Sequence, residues 1–137
     1  MNNTTTFKIS WDALSRLFIG ALFIFAGVGK IMSFAGTTGY IDSVLHTGSL
    51  TPVITAITVF IEIVVAAVYV WGKYKKDWCG YILIAFTALA TVFFHSDFNN
   101  QLNVIMALKN LAIIGGIFAT LDAVHKRRVG NHQGHSH

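Results

Sequence analysis

The sequence has one cysteine and few charged residues, and each shortage excludes a class of protein. Cys79 alone forms neither an internal disulfide nor a Cys-x-x-Cys pair, so thiol exchange within this chain is excluded. The chain has no phosphate-binding glycine loop and no nucleophile elbow, which leaves ATP hydrolysis and serine catalysis without support. Charged residues make up 12% of the 137 residues and hydrophobic residues 54%, a composition too apolar for a soluble domain of this size. The apolar surplus therefore needs lipid to cover it.

Four apolar segments are each near the length that crosses about 30 Å of hydrocarbon. They lie at residues 13–34, 52–71, 78–95 and 102–122. The sequence thus predicts an all-α integral membrane protein, a four-helix bundle over residues 13–122. Residues 1–12 form an N-terminal segment, and residues 123–137 form a basic, histidine-rich tail whose end, 130–137, is predicted to be unstructured.

The basic residues predict the orientation. Lys8, the lysines at 73, 75 and 76 and the basic run at 126–128 fall on one side of four spans, whereas the loops 35–50 and 96–101 contain no Lys or Arg. By the positive-inside rule both termini and the middle loop are cytoplasmic. Six of the ten basic residues form two clusters beside apolar segments, a pattern that suits anionic lipid head groups better than nucleic acid.

The first outer loop, 35–50, is predicted to contain a short interfacial helix. Tyr40, Ile41, Val44 and Leu45 have the i, i+1, i+4, i+5 spacing of an amphipathic helix, and glycines surround them. Such a helix would cover the outer end of the bundle.

Each span carries one polar seam, and the ionisable residues in these seams are the candidate site. Arg16 and Lys30 share one face of the first helix, Glu62 lies near the middle of the second, and Lys109 precedes Asn110 in the fourth. A charge at mid-bilayer costs several kcal/mol unless it is paired or hydrated, so Glu62 and Lys109 need partners. Their depths of roughly 15 Å and 12 Å from the outer ends of their helices allow a direct pair.

Two interpretations of these charges stay open. In the first, a Glu62–Lys109 pair only fixes helix register, while Arg16 and Lys30 extend to opposite interfaces. In the second, three cations against one carboxylate leave an excess of positive charge that favours an anion, unless desolvation makes Lys109 neutral.

His95 ends the third span at the outer face, where a histidine can relay protons or bind metal. The only plausible further ligands in the outer loops are His46 and Asp42, so no metal site is predicted.

The order of these features resembles the DoxX family of small bacterial inner-membrane proteins. The resemblance runs from about Leu14 to Leu121. Its residues are Arg-Leu-Phe-Ile-Gly at 16–20, Phe-Ala-Gly at 25–27 with Gly29 and Lys30, then Glu62, His95 and Lys-Asn-Leu-Ala at 109–112.

The resemblance implies a multi-pass protein of the bacterial inner membrane. For some relatives it implies membership in quinone-linked oxidoreductase complexes, including ones that oxidise thiosulfate, and for others an association with soluble redox-stress enzymes. Carried onto this chain, a quinone-linked role makes Glu62, Lys109 and His95 the candidates for handling quinol protons. Arg16, Lys30 and Asn110 would bind the head group or an anionic substrate.

Quinone is thus the expected substrate, with no flavin or metal held by the chain itself. Electron transfer therefore requires a partner subunit or two substrates that meet directly. The alternatives are a non-enzymatic scaffold or small-ligand-binding protein, and a transporter, for which 137 residues are few unless the chain forms a homo-oligomer.

Overall fold

The computed structural model describes residues 10–72 and 77–133, and within these ranges every regular element is a helix. The helices in chain order are α1 (Trp11–Met32), α2 (Phe34–Leu45), α3 (Thr51–Phe60), a π-helical segment (Ile61–Val65), α4 (Ala66–Trp71), α5 (Trp78–Phe94) and α6 (Gln101–Gln133). A short 3₁₀ turn, Gly48–Leu50, leads into α3. The predicted all-α membrane bundle is confirmed.

Three helical stretches are long and apolar enough to cross a membrane. They are Trp11–Met32, Gly48–Trp71 and Gln101–Gly130, the second of which joins the 3₁₀ turn, α3, the π segment and α4. The fourth apolar helix, α5, has 17 residues and lies at the short end of the spanning range of about 17–25.

The helices form a square bundle. α1 and α5 each pack against α6 and against the π segment with α4, so α1 and α5 occupy opposite corners. We call the end that holds Trp11, Trp71 and Trp78 the basic end, and the end that holds α2 and the loop before α6 the loop end. The buried core is concentrated towards the basic end, where Tyr69, Leu83 and Ile117 are almost fully enclosed.

The predicted outer helix is α2, which begins directly after Ser33 interrupts α1. It packs mainly against α3, where the Thr38 hydroxyl donates to Thr55 Oγ1 at 3.1 Å. Asp42 fastens its far end, because Oδ1 accepts hydrogen bonds from the Thr51 hydroxyl and the Gly48 amide, both at 2.7 Å. Gly48 has φ +57°, a conformation that favours glycine.

The last helix is longer than the sequence analysis predicts. α6 continues past the expected end of the span at residue 122 to Gln133, so the prediction of an unstructured segment from Gly130 is wrong for its first residues. Ion pairs support the extension, because Asp122 bonds Lys126 one turn later at 2.7 Å and Arg128 bonds Asp77 at 2.8 Å. Lys8, the lysines at 73, 75 and 76, and the histidines at 135 and 137 lie outside the described residues.

Candidate functional site

A cavity of about 450 Å³ lies between the loop-end halves of the helices. α1, α3, α5 and α6 form its walls and α2 covers it, so all four spans contribute. Apolar side chains such as Phe23 and Phe86, whose ring centroids are 6.5 Å apart, form most of the lining. The predicted site residues that line it are Lys30, Glu62, His95, Lys109 and Asn110. The structure thus brings five of the six predicted residues to one cavity.

An ion pair joins α1 to the π segment at the cavity wall. Lys30 Nζ donates to Glu62 Oε1 at 2.8 Å, and the Lys30 and Glu62 side chains are 28% and 6% exposed. Glu62 therefore pairs with Lys30, and the pairing with Lys109 that the sequence analysis allowed is wrong. The second carboxylate oxygen, Oε2, is buried without a hydrogen-bond partner among the described residues.

The π segment and Gly27 together bring this pair into contact. Glu62 lies in the segment Ile61–Val65, and π turns inside α-helices are frequent at functional sites. A Cβ added at Gly27 would lie 2.6 Å from Ile63 Cγ1 and 3.0 Å from Glu62 Cβ. Only glycine lets α1 approach the π segment this closely, and Lys30 follows one turn later on the same side of α1.

Lys109 and Asn110 line the cavity from α6. Asn110 is buried, and its Nδ2 donates to Thr91 Oγ1 of α5 at 2.9 Å, which fixes the amide. Lys109 is exposed, and the hydrogen bond of its Nζ within the described residues goes to Met106 Sδ at 3.4 Å. A thioether is a weak acceptor, so Lys109 Nζ lacks a strong partner in the part of the chain that the structure describes.

His95 follows the last residue of α5 and lines the cavity at the loop end. Its Nδ1 lies 3.5 Å from Asn103 Oδ1 of α6. Within residues 10–72 and 77–133, no group of three or more His, Cys, Asp and Glu side chains is arranged to hold a metal ion.

Arg16 is the predicted site residue that lies elsewhere. It is buried towards the basic end, where its Nη1 donates to the Tyr69 carbonyl at 3.2 Å and its guanidinium stacks 4.9 Å from the centre of the Tyr69 ring. Asp12, one turn earlier in α1, pairs with Arg16 at 3.5 Å and with Arg127 at 3.7 Å. Arg16 therefore joins a separate charge cluster and does not contribute positive charge to the cavity.

The sequence analysis did not identify two residues, one in the Arg16 charge cluster and one in the cavity lining. It counted Glu62 as the one carboxylate in the seams, because Asp12 precedes the predicted start of the first span at residue 13. The i, i+4 spacing of Asp12 and Arg16 is typical of an ion pair on one helix and could have identified Asp12. The sequence analysis also gave no role to Thr87 of α5, which lines the same cavity as Glu62 and whose hydroxyl donates to the Leu83 carbonyl at 2.7 Å.

Comparison with known proteins agrees with the fold. The DoxX family pattern matches residues 12–96, which cover α1 to α5. The inner membrane protein YqjF of Escherichia coli (strain K12) is 31% identical over 103 residues, a stretch that covers 75% of each chain. No solved structure gives a significant match. Together with the apolar helices, these matches show that the chain is a multi-pass inner-membrane protein of the DoxX family.

Proposed function

We propose that this protein is the membrane subunit of a quinone-linked oxidoreductase and that the cavity binds the quinone head group. The observation that carries the proposal is the combination of apolar walls with Lys30, Glu62, Lys109 and Asn110 in one cavity at membrane depth. Small-molecule sites are typically apolar clefts of about 300–1,000 Å³ with a few placed polar groups, and this cavity fits that description.

The residues divide into two chemical roles. Lys109 Nζ and the Asn110 amide are hydrogen-bond donors beside the apolar wall, suited to the carbonyl oxygens of a quinone ring. Reduction of the ring takes two electrons and two protons, so proton carriers are needed at the ring oxygens. Glu62 and His95 line the same cavity, with His95 nearer the loop end, and together they form a proton path from that side.

The electrons come from a partner subunit in this proposal. The basic end faces the cytoplasm by the positive-inside rule, which places the cavity in the outer half of the membrane. A donor enzyme, or a reduced small molecule that this enzyme oxidises, would then pass two electrons to the quinone at the loop end. The chain supplies the quinone site, and the partner supplies the redox centre.

A second candidate function is the binding of an amphipathic ligand without turnover, as in a membrane scaffold. The ion pair favours it, because Lys30 holds the Glu62 carboxylate at 2.8 Å and stabilises its charged form, which opposes the uptake of a proton.

The test is mass spectrometry of the organic extract from protein purified in native lipid. We compare bound quinone in the wild type, Glu62→Gln, Lys109→Met and the control Lys126→Met, which removes an exposed cation at the basic end. Near-stoichiometric quinone in the wild type and the control, lost in the two cavity variants, supports the proposal. If quinone is no more abundant in the wild-type extract than in mock-purified lipid, the ligand-binding scaffold becomes the better hypothesis.

A further inference from the structure

The cavity is open on its side as well as covered at its end. Leu22 of α1 is 40% exposed and Lys109 of α6 is also exposed, yet both line the cavity. Both residues belong to membrane-crossing helices. The surface that they expose therefore faces the interior of the bilayer.

The register of α1 and α6 shows where this opening lies. The two helices touch at Ile19 and Gly116, where a Cβ added to the glycine would lie 3.2 Å from Ile19 Cδ1. Ala26 and Lys109 are each seven residues nearer the loop end, which is two turns and about 10 Å along the same faces of antiparallel helices. Both residues line the cavity, so α1 and α6 touch on its basic-end side and border the opening two turns nearer the loop end.

A second edge of the cavity is exposed on α5, and the exposed α5 side chains that line it are apolar. Leu89 and Phe93 line the cavity and are 58% and 52% exposed. Beside this edge, Tyr40 of α2 packs on Phe94 with ring centroids 5.6 Å apart. The opening between α1 and α6 instead carries the Lys109 ammonium, which needs an acceptor at membrane depth.

We infer that the ligand reaches the cavity sideways from the bilayer, between α1 and α6, and that Leu22 lies against its hydrocarbon chain. This inference rests on the proposed function and specifies its substrate as a ring head group on a long chain. A cavity of about 450 Å³ holds a ring and its substituents, but a chain of many isoprene units exceeds it. The head group oxygens meet Lys109, and the chain stays in lipid.

The test measures association rates in nanodiscs with two quinones that share one ring, the first with a long isoprenoid chain and the second without a chain. Leu22→Trp narrows the opening, and Leu111→Trp is the matched control, because Leu111 is 64% exposed on α6 and does not line the cavity. We expect the long-chain quinone to associate about tenfold more slowly with Leu22→Trp and unchanged with Leu111→Trp. The association rate of the quinone without a chain should fall less, because this quinone has no chain that must lie against residue 22.

Two further variants keep the result interpretable. Leu22→Ala widens the opening, and the long-chain quinone should associate with it at least as fast as with the wild type. This variant separates a steric effect from misfolding. Equal rates in Leu22→Trp and the wild type, or a loss in Leu89→Trp instead, would refute this route while leaving the cavity as the binding site. Failure of the wild type to bind either quinone would overturn the proposed function and this inference together.

Discussion

Removing the two partners of the Lys30–Glu62 pair one at a time should have unequal effects on stability. Lys30→Met leaves a carboxylate whose side chain is 6% exposed and whose Oε2 already lacks a partner among the described residues. Breaking a buried pair in this way costs about 3–5 kcal/mol. Because the Lys30 side chain is 28% exposed, the pair is partly solvated, and we expect about 3 kcal/mol, the lower end of that range.

Glu62→Gln should be milder. It leaves an ammonium group on a long side chain in the last turn of α1, and this side chain can extend to the interface at the loop end. We expect a cost of about 1 kcal/mol, comparable with one lost hydrogen bond. The double variant Lys30→Met/Glu62→Gln removes both charges and should be more stable than Lys30→Met alone by about 1–2 kcal/mol. Relative to the sum of the two single costs, this corresponds to a coupling energy of about 2–3 kcal/mol.

The assay is equilibrium unfolding of the four proteins in one detergent, followed by the loss of helical signal. A double-mutant cycle gives the coupling between the two residues without assigning an energy to either alone. If Glu62→Gln costs as much as Lys30→Met, or if the double variant equals the sum of the singles, the pair does not stabilise the fold as argued. Lys109→Met should leave this coupling unchanged, since Glu62 bonds Lys30.

Two other predictions concern packing and pH. Gly27→Ala should destabilise the bundle by about 1–3 kcal/mol through overpacking, measured by the same unfolding assay, whereas Gly29→Ala, which meets nothing within 4 Å, should be neutral or slightly stabilising. Hydrogen bonds from the Thr51 hydroxyl and the Gly48 amide hold the pKa of Asp42 below its ordinary value. This contribution is therefore present above about pH 4 and is lost as the pH falls through the lowered pKa. The protection factors of the α2 amides, which correct for the intrinsic pH dependence of hydrogen exchange, should fall on acidification in the wild type but not in Asp42→Ala. A parallel response in both proteins would contradict this.

The sequence predicts the number and approximate position of the helices because hydrophobic length and basic flanks are strong one-dimensional signals. It also places Lys30, Glu62, Lys109 and Asn110 on inward faces, and the structure brings these residues to one cavity. Depth and face selected these four residues, but they also selected Arg16, which belongs to the separate charge cluster towards the basic end.

The partners of those residues were harder to predict. Glu62 and Lys109 lie at similar depths, yet depth is one coordinate of three, and the π segment turns Glu62 towards α1. An α-helical count of 100° per residue contains no signal for a π turn. The continuation of α6 was missed for a different reason, because hydropathy falls at the charged residues after 122 while the helix is held by ion pairs such as Asp77–Arg128.

The length of α6 has a mechanical consequence. Its 33 residues measure about 50 Å, whereas the hydrocarbon layer is about 30 Å thick. α6 therefore has a helical extension beyond the hydrocarbon layer at the basic end. Arg127 and Arg128 of this extension form ion pairs with Asp12 of α1 and with Asp77 before α5, on opposite corners of the bundle. A protein that bound this extension would therefore exert force on α6 relative to α1. The separation of these two helices sets the width of the side opening.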